Sequence, residues 1–151
     1  MIPDVKIVPT LPCHVLEIRD NLQDGDKREI CGFGITIAKG VWRTYKNSVM
    51  CRTALIDGEP VAFWGVAGTS IGLTGIPFLL TSVNVRKISP LRFTRIYQIE
   101  AKEMLKIYSR LENYVLADYE EAVRLLDIVG FKIGEPQKIR NAMYRKFSMG
   151  V

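Results

Sequence analysis

One histidine serves the whole 151-residue chain, His14 in "TLPCHVLEI". A Ser-His-Asp or Cys-His nucleophile would have to run through it, and nothing beside it reads as an activated nucleophile. Cys13, Cys31 and Cys51 are odd in number and lack metal-ligand spacing. They read as reduced thiols used as small core residues. The concentrated chemistry is cationic instead. No Asp or Glu occurs between Glu59 and Glu100, and Arg86, Lys87, Arg92 and Arg95 crowd into that gap. Such a cluster is more often a solvated basic face than a site, and it also suits an anion. A second mixture, "KGVWRTYKNS", interleaves Lys39, Arg43 and Lys46 with Trp42 and Tyr45 in what reads as a loop or irregular helix. It fits a plain surface segment, an anchor for a partner protein or, behind these, stacking on nucleic acid.

The composition bounds the setting for this chemistry. Apolar residues make up 48% and charged residues 25%, the balance of an ordinary globular protein. The length fits one domain spanning residues 1–151, enough to bury a real core. No apolar run approaches the roughly 18–20 residues that span a bilayer. The opening "MIPDVKIVPT" lacks a basic segment followed by an apolar one, so no secretory signal is read there. Residues 1–75 carry eight basic and eight acidic side chains, whereas residues 76–151 carry thirteen and eight. The net charge of +5 therefore belongs to the second half of the sequence.

Several elements would position these groups. "KIVPTLP" reads as a short opening strand. Val15, Ile18, Leu22 and Ile30 have helical spacing interrupted at Asp24-Gly25, which predicts two short helices. "RTALIDGEPVAFWGVAG" is a β-hairpin turning at Asp57-Gly58, with Phe63 and Trp64 as core and face residues. A flexible connection, "GTSIGLTG", leads to "GIPFLLTSVNV", a central strand apolar on both faces. A helix over 90–111 follows, with Ser89 as N-cap and Pro90 in the first helical position. Its apolar stripe is Phe93, Tyr97, Ala101, Met104, Tyr108 and Leu111. "NYVLA" is a strand, "YEEAVRLLDIVG" is a helix stopped by Gly130, and "FKIGEP" with "AMYRKFSMGV" forms a last antiparallel pair.

Strand 76–85, helix 90–111 and strand 113–117 make a strand–helix–strand unit, a right-handed parallel crossover. Ligands of open α/β sheets sit beyond the carboxyl ends of the strands. The first turn of that helix lies there, and so does the basic cluster. This argues for a phosphate-sized anion near residues 86–92, held by backbone N–H groups and cations, against the favoured alternative of a bland exposed basic loop.

This order of elements, with the ending Ala122-x-x-x-Leu126-x-x-x-Gly130-Phe131, resembles the GNAT (GCN5-related N-acetyltransferase) fold. The resemblance covers nearly the whole chain. It implies an α/β fold with a mixed, mostly antiparallel sheet, one parallel crossover and helices on both faces. The phrases "HVLEIRDNLQDGDKREI", "ALIDGEPVAFWGV", "GIPFLLTS", "NYVLADYEEAVRLLDIVGFKI" and "YRKFSMG" are similar to the GNAT-like proteins of tailed bacteriophages, among them the small internal virion protein of T7-like podoviruses. That resemblance implies a role in virion assembly or genome ejection, in the virion or host cytoplasm. The implied partners are other virion proteins or a host protein.

The family's chemistry implies acetyl-CoA as cofactor, held between the central strand and the long helix. The matching residues are Val83, Val85, Arg86, Lys87, Ser89 and Arg92. Active members have an R/Q-x-x-G-x-G/A loop there; "NVRKISPLRFT" has no glycine, and Pro90 has no N–H. The family's catalytic tyrosine falls on Leu126, and its preceding asparagine falls on Tyr119, which becomes the candidate acid. Asp26 and Glu29 are candidate bases by position. Both suit turn-capping and helix-start charges as well, and this reading favours those roles. Asp118 fits the N-cap of the last helix. The resemblance thus implies an accessory module with weakened or absent acetyltransferase activity; its alternative is an active N-acetyltransferase acting on a host or phage protein.

Overall fold

A computed structural model describes residues 2–68 and 72–151. Of the connection read in "GTSIGLTG", residues 69–71 lie outside the described residues. The chain opens with strand β1 (Val5–Pro9) and helices α1 (Pro12–Asp20), α2 (Asp24–Gly32) and α3 (Ile37–Lys46). Strands β2 (Ser48–Ile56), β3 (Glu59–Gly68) and β4 (Thr74–Thr81) follow. A 3-10 turn at Val83–Lys87 leads into helix α4 (Pro90–Ile107). Strand β5 (Arg110–Leu116), helix α5 (Glu120–Val129) and strands β6 (Lys132–Ile139) and β7 (Ala142–Gly150) complete it.

The seven strands form one sheet in the order β1-β2-β3-β4-β5-β7-β6. The β4–β5 pair is parallel and every other pairing is antiparallel. This is the mixed α/β architecture expected. The β2–β3 hairpin turns where Asp57 and Gly58 take φ of 49° and 87°, the left-handed pair whose twist matches the strands. Alternation along β3 then splits the core. Trp64 faces α4, in edge contacts with Phe93 and Tyr97 at 6.2 and 6.5 Å, while Phe63 faces the other way, among Val15, Ile18, Leu22 and Val41. The sheet is therefore covered on both sides. No described helix is long and apolar enough to cross a membrane.

Helix α5 ends as its glycine requires. Gly130 has φ of 118°, and the N–H groups of Gly130 and Phe131 return to the carbonyls of Asp127 and Leu126 at 3.1 and 3.0 Å. Phe131 is thereby driven into the core edge-on to Phe147, 5.0 Å away.

Five local expectations are corrected. The Trp42 segment is a regular helix, α3, capped by the Thr36 side chain accepting the Lys39 N–H. Val83 and Val85 are not in a strand: the Ser82 hydroxyl accepts the Asn84 N–H and turns the chain. Helix α4 stops at Ile107, because Arg110 and Leu111 pair with Thr74 and Gly75 of β4. The break between α1 and α2 falls at Asn21–Gln23, with Asp24-Gly25 already in the helix. The cysteines are free, but Cys13 and Cys31 are exposed and not the small core residues expected, and only Cys51 is partly buried. The inward face of α1 is taken by His14, Val15 and Ile18.

Candidate functional site

Strands β4 and β5 pair only at Thr74–Arg110 and Gly75–Leu111 and then diverge. A wedge opens between them, tied near its closed end by the Asn113 amide donating to the Pro77 carbonyl at 2.7 Å. A cavity of about 810 Å³ occupies the wedge. Its walls are mostly apolar, with Phe78 and Leu80 on one side and Val115 on the other. Asp26 and Glu29 of α2, Arg43 of α3, Tyr119, Leu126 and Arg86 also line it. A second hollow of about 310 Å³ adjoins it at Gln23, Arg86, Tyr119 and Glu121.

The open end of the wedge is polar. Asp26 is 5% exposed, and its Oδ2 accepts the N–H and the hydroxyl of Thr81 at 3.0 and 2.6 Å. The Gln23 amide donates to Thr81 Oγ1 at 2.7 Å, and Arg86 donates to Gln23 Oε1 at 3.3 Å. Glu29 Oε2 accepts the N–H of Leu116 at 2.9 Å. Burial raises the Asp26 carboxyl from 3.8 to about 6, against the opposing bonds from Thr81. Burial raises Glu29 from 4.5 to about 8, with the Leu116 bond opposing and the Asp26 charge adding. Tyr119 is also raised, first by burial and then by the Asp26 charge.

Asp26 and Glu29 thus face the wedge: Asp26 does stand in the first turn of α2, as a helix-start charge would, and both carboxylates bond across to Thr81 and Leu116. They lie three residues apart on one face of α2, and that face is inward. Tyr119 sits at the start of α5 with its ring over Gly25, where a Cβ would overlap it. Asp118 does not cap α5. It accepts from Arg28 at 2.8 Å, and Tyr119 occupies the cap position without a side-chain bond. His14 is nearly buried and plays no part in the wedge: its Nδ1 accepts the Leu11 N–H at 3.0 Å, closing the first turn of α1. Thr81, Gln23 and the main chain of Leu116 were not singled out from the sequence. The available signal was polar Gln23, Asp26 and Glu29 repeating at three-residue steps.

The basic cluster is partly committed within the fold. Arg86 also approaches Glu121 at 3.9 Å, and Arg92 Nη1 donates to the Pro3 carbonyl at 2.9 Å. Lys87 and Arg95 are exposed. Val83 is 50% exposed, and Val85 lines the cavity. In the first turn of α4, Pro90 brings no N–H and Ser89 Oγ accepts the Arg92 N–H at 3.3 Å.

No protein-family model and no curated protein matches the chain. Solved structures do. The aminoglycoside acetyltransferase AAC(6')-Ib, in complex with ribostamycin and coenzyme A, is 14% identical with a TM-score of 0.68 and covers 97% of this chain and 93% of its own. A GNAT-family acetyltransferase from Streptococcus pneumoniae is 15% identical with a TM-score of 0.65, covering 98% and 99%. The GNAT domain of PAT from S. lividans is 12% identical with a TM-score of 0.67, covering 100% and 95%. At such identities the likeness is one of fold. The chain has the GNAT fold.

Proposed function

We propose that the chain is a GNAT-fold accessory module of a tailed-phage particle, with a weakened acetyl-CoA site and little acetyl transfer. One observation carries the weakening: Pro90 and the Ser89 cap remove main-chain donors from the start of α4, where a diphosphate would be held. The wedge itself fits the slender arm of acetyl-CoA, offering about 810 Å³ between mostly apolar walls. The phosphates would fall to Arg86 and Lys87, with Val85 and Ser89 beside them. When bound, acetyl-CoA supplies an activated acetyl thioester.

The particle role rests on the tailed-phage phrases of the sequence and on α3. Lys39, Arg43 and Lys46 form a basic stripe there, beside a Trp42 that is 38% exposed. The three cations make no ion pair among the described residues. Such a stripe suits an acidic partner protein. Calorimetry with acetyl-CoA tests the reading, with an R86A/K87A/R92A variant alongside. Binding near about 1 mM, lost in the variant, is expected. Micromolar binding with turnover overturns it.

The raised carboxyls favour a second reading, an active N-acetyltransferase. A base poised near neutrality is what amine deprotonation needs, and Glu29, raised to about 8, lies in the wedge. Glu29 would accept the amine proton, and the Tyr119 hydroxyl would donate one to the leaving group. Acetyl transfer to peptide amines that Glu29→Gln abolishes would establish this reading.

A further inference from the structure

Successive N–H groups along an extended strand point to opposite edges. The Ser82 N–H bonds Val61 of β3 at 2.8 Å, so the Thr81 N–H points into the wedge. The Ala117 N–H bonds Met143 of β7 at 2.9 Å, so the Leu116 N–H points into the wedge from the other side. In a continued parallel ladder these edges would be paired to each other. Here α2 takes both: Asp26 accepts from Thr81 and Glu29 from Leu116. The main chain joins in, since the Gln23 N–H donates to the Thr81 carbonyl at 3.0 Å and the Val83 N–H to that of Asn21 at 2.8 Å. The segment before α2 thus occupies the place beside β4 that β5 has left.

We infer that α2 is a proton-controlled latch across the open end of the wedge, with Asp26 fastening it to β4 and Glu29 fastening it to β5. A protonated carboxyl keeps a carbonyl oxygen that accepts an N–H, so the latch survives protonation. Losing both protons places two negative charges on one inward helix face, Asp26 buried and Glu29 partly buried. The surroundings do little to neutralise them. Tyr119 and Tyr144, the latter from β7, are neutral hydroxyls raised first by burial and then by Asp26 for Tyr119 and by Glu29 for Tyr144; Tyr119 adds a neutral hydrogen bond to Asp26 and no charge. Arg86 is engaged with Gln23 and Glu121. Arg43 of α3 lines the cavity without an ion pair to either carboxylate, and Arg28 is turned outward to Asp24 and Asp118. Both carboxyls lie above their ordinary values, so the latched state is favoured at low pH. That preference is lost as pH rises through about 6 for Asp26 and about 8 for Glu29. The latch stands whether or not the wedge turns over acetyl-CoA.

Amide hydrogen exchange by NMR, corrected for intrinsic rates, tests it on the ligand-free protein. Between about pH 4 and pH 9, protection of the Leu116 and Thr81 amides falls roughly tenfold or more, while the β2–β3 hairpin amides hold theirs. Glu29→Gln keeps an oxygen for the Leu116 N–H and removes the upper step at that amide. Flat protection at Leu116 in the unmodified protein overturns the latch, and so does an unchanged fall in Glu29→Gln.

Discussion

Gly25 and Tyr119 show how closely the wedge is fitted at the level of single atoms. Gly25 sits in the first turn of α2, and any Cβ there would enter the Tyr119 ring. The helix cannot retreat, because Asp26 and Gln23 hold it to Thr81. Gly25→Ala should therefore cost about 1–3 kcal/mol, the range for overpacking a constrained site. Adding Tyr119→Ala should return much of that loss, a coupling that urea denaturation of the single and double variants would reveal. His14 makes a second test at this scale. Burial lowers its pKa from 6.5, and its Nδ1 must be unprotonated to accept the Leu11 N–H. The folded pKa lies below the unfolded one, so the stabilisation is present above about pH 6.5 and is lost as pH falls through the lowered value. His14→Ala should cost about 1 kcal/mol at pH 8, as a lost cap does, and much less at pH 5. Chemical denaturation at the two pH values gives the comparison. A lone histidine invites a catalytic role; here its ring, in the first turn of α1, accepts the N–H of the cap residue Leu11.

At the scale of elements, the readable features were those set by local chemistry. The Asp57-Gly58 turn, the Ser89-Pro90 helix start and the Gly130-Phe131 stop each follow from the conformational range of one or two residues. The features that could not be read depend on distant partners. Helix α4 is apolar in pattern through Leu111, yet pairing with β4 claims Arg110 and Leu111 for β5. Asp26 and Glu29 looked like ordinary helix-start charges because their partners, Thr81 and Leu116, lie far along the chain. The start of α4 yields a prediction of its own. Ser89→Gly/Pro90→Gly would remove the competing hydroxyl and supply the missing N–H. Acetyl-CoA affinity should rise, by about tenfold if two charge-assisted bonds of modest strength are gained. Helix α4 should lose about 1 kcal/mol, a few tenths from its cap and the rest from the freedom of glycine in its first turn. Isothermal titration and thermal unfolding of the same variant would show the two changes moving in opposite directions.

Over the whole molecule, the distribution of charge along the sequence differs from its distribution over the surface. The cationic excess lies in residues 76–151, but much of it is met within the fold. Arg110 and Lys146 both reach Glu112, Lys106 reaches Glu103, and Arg86 approaches Glu121. The first half is balanced in sequence, but Asp26 and Glu29 are turned into the wedge and do not offset its surface cations. No Asp or Glu occurs between Glu29 and Asp57, which leaves the α3 cations as the unneutralised stripe. Three cations are few for a nucleic-acid site. Proteins that hold DNA through its backbone neutralise roughly six to ten phosphates, and affinity scales with salt at about 0.9 per phosphate. The expected slope of log K against log salt for this chain is therefore about −3, with binding lost near physiological salt. Fluorescence anisotropy with a labelled duplex would measure it, and K39E/R43E/K46E should bring the slope close to zero. A slope of about −6 or steeper would require the second-half cations to act together with α3, and would make nucleic acid rather than an acidic protein the partner of this surface.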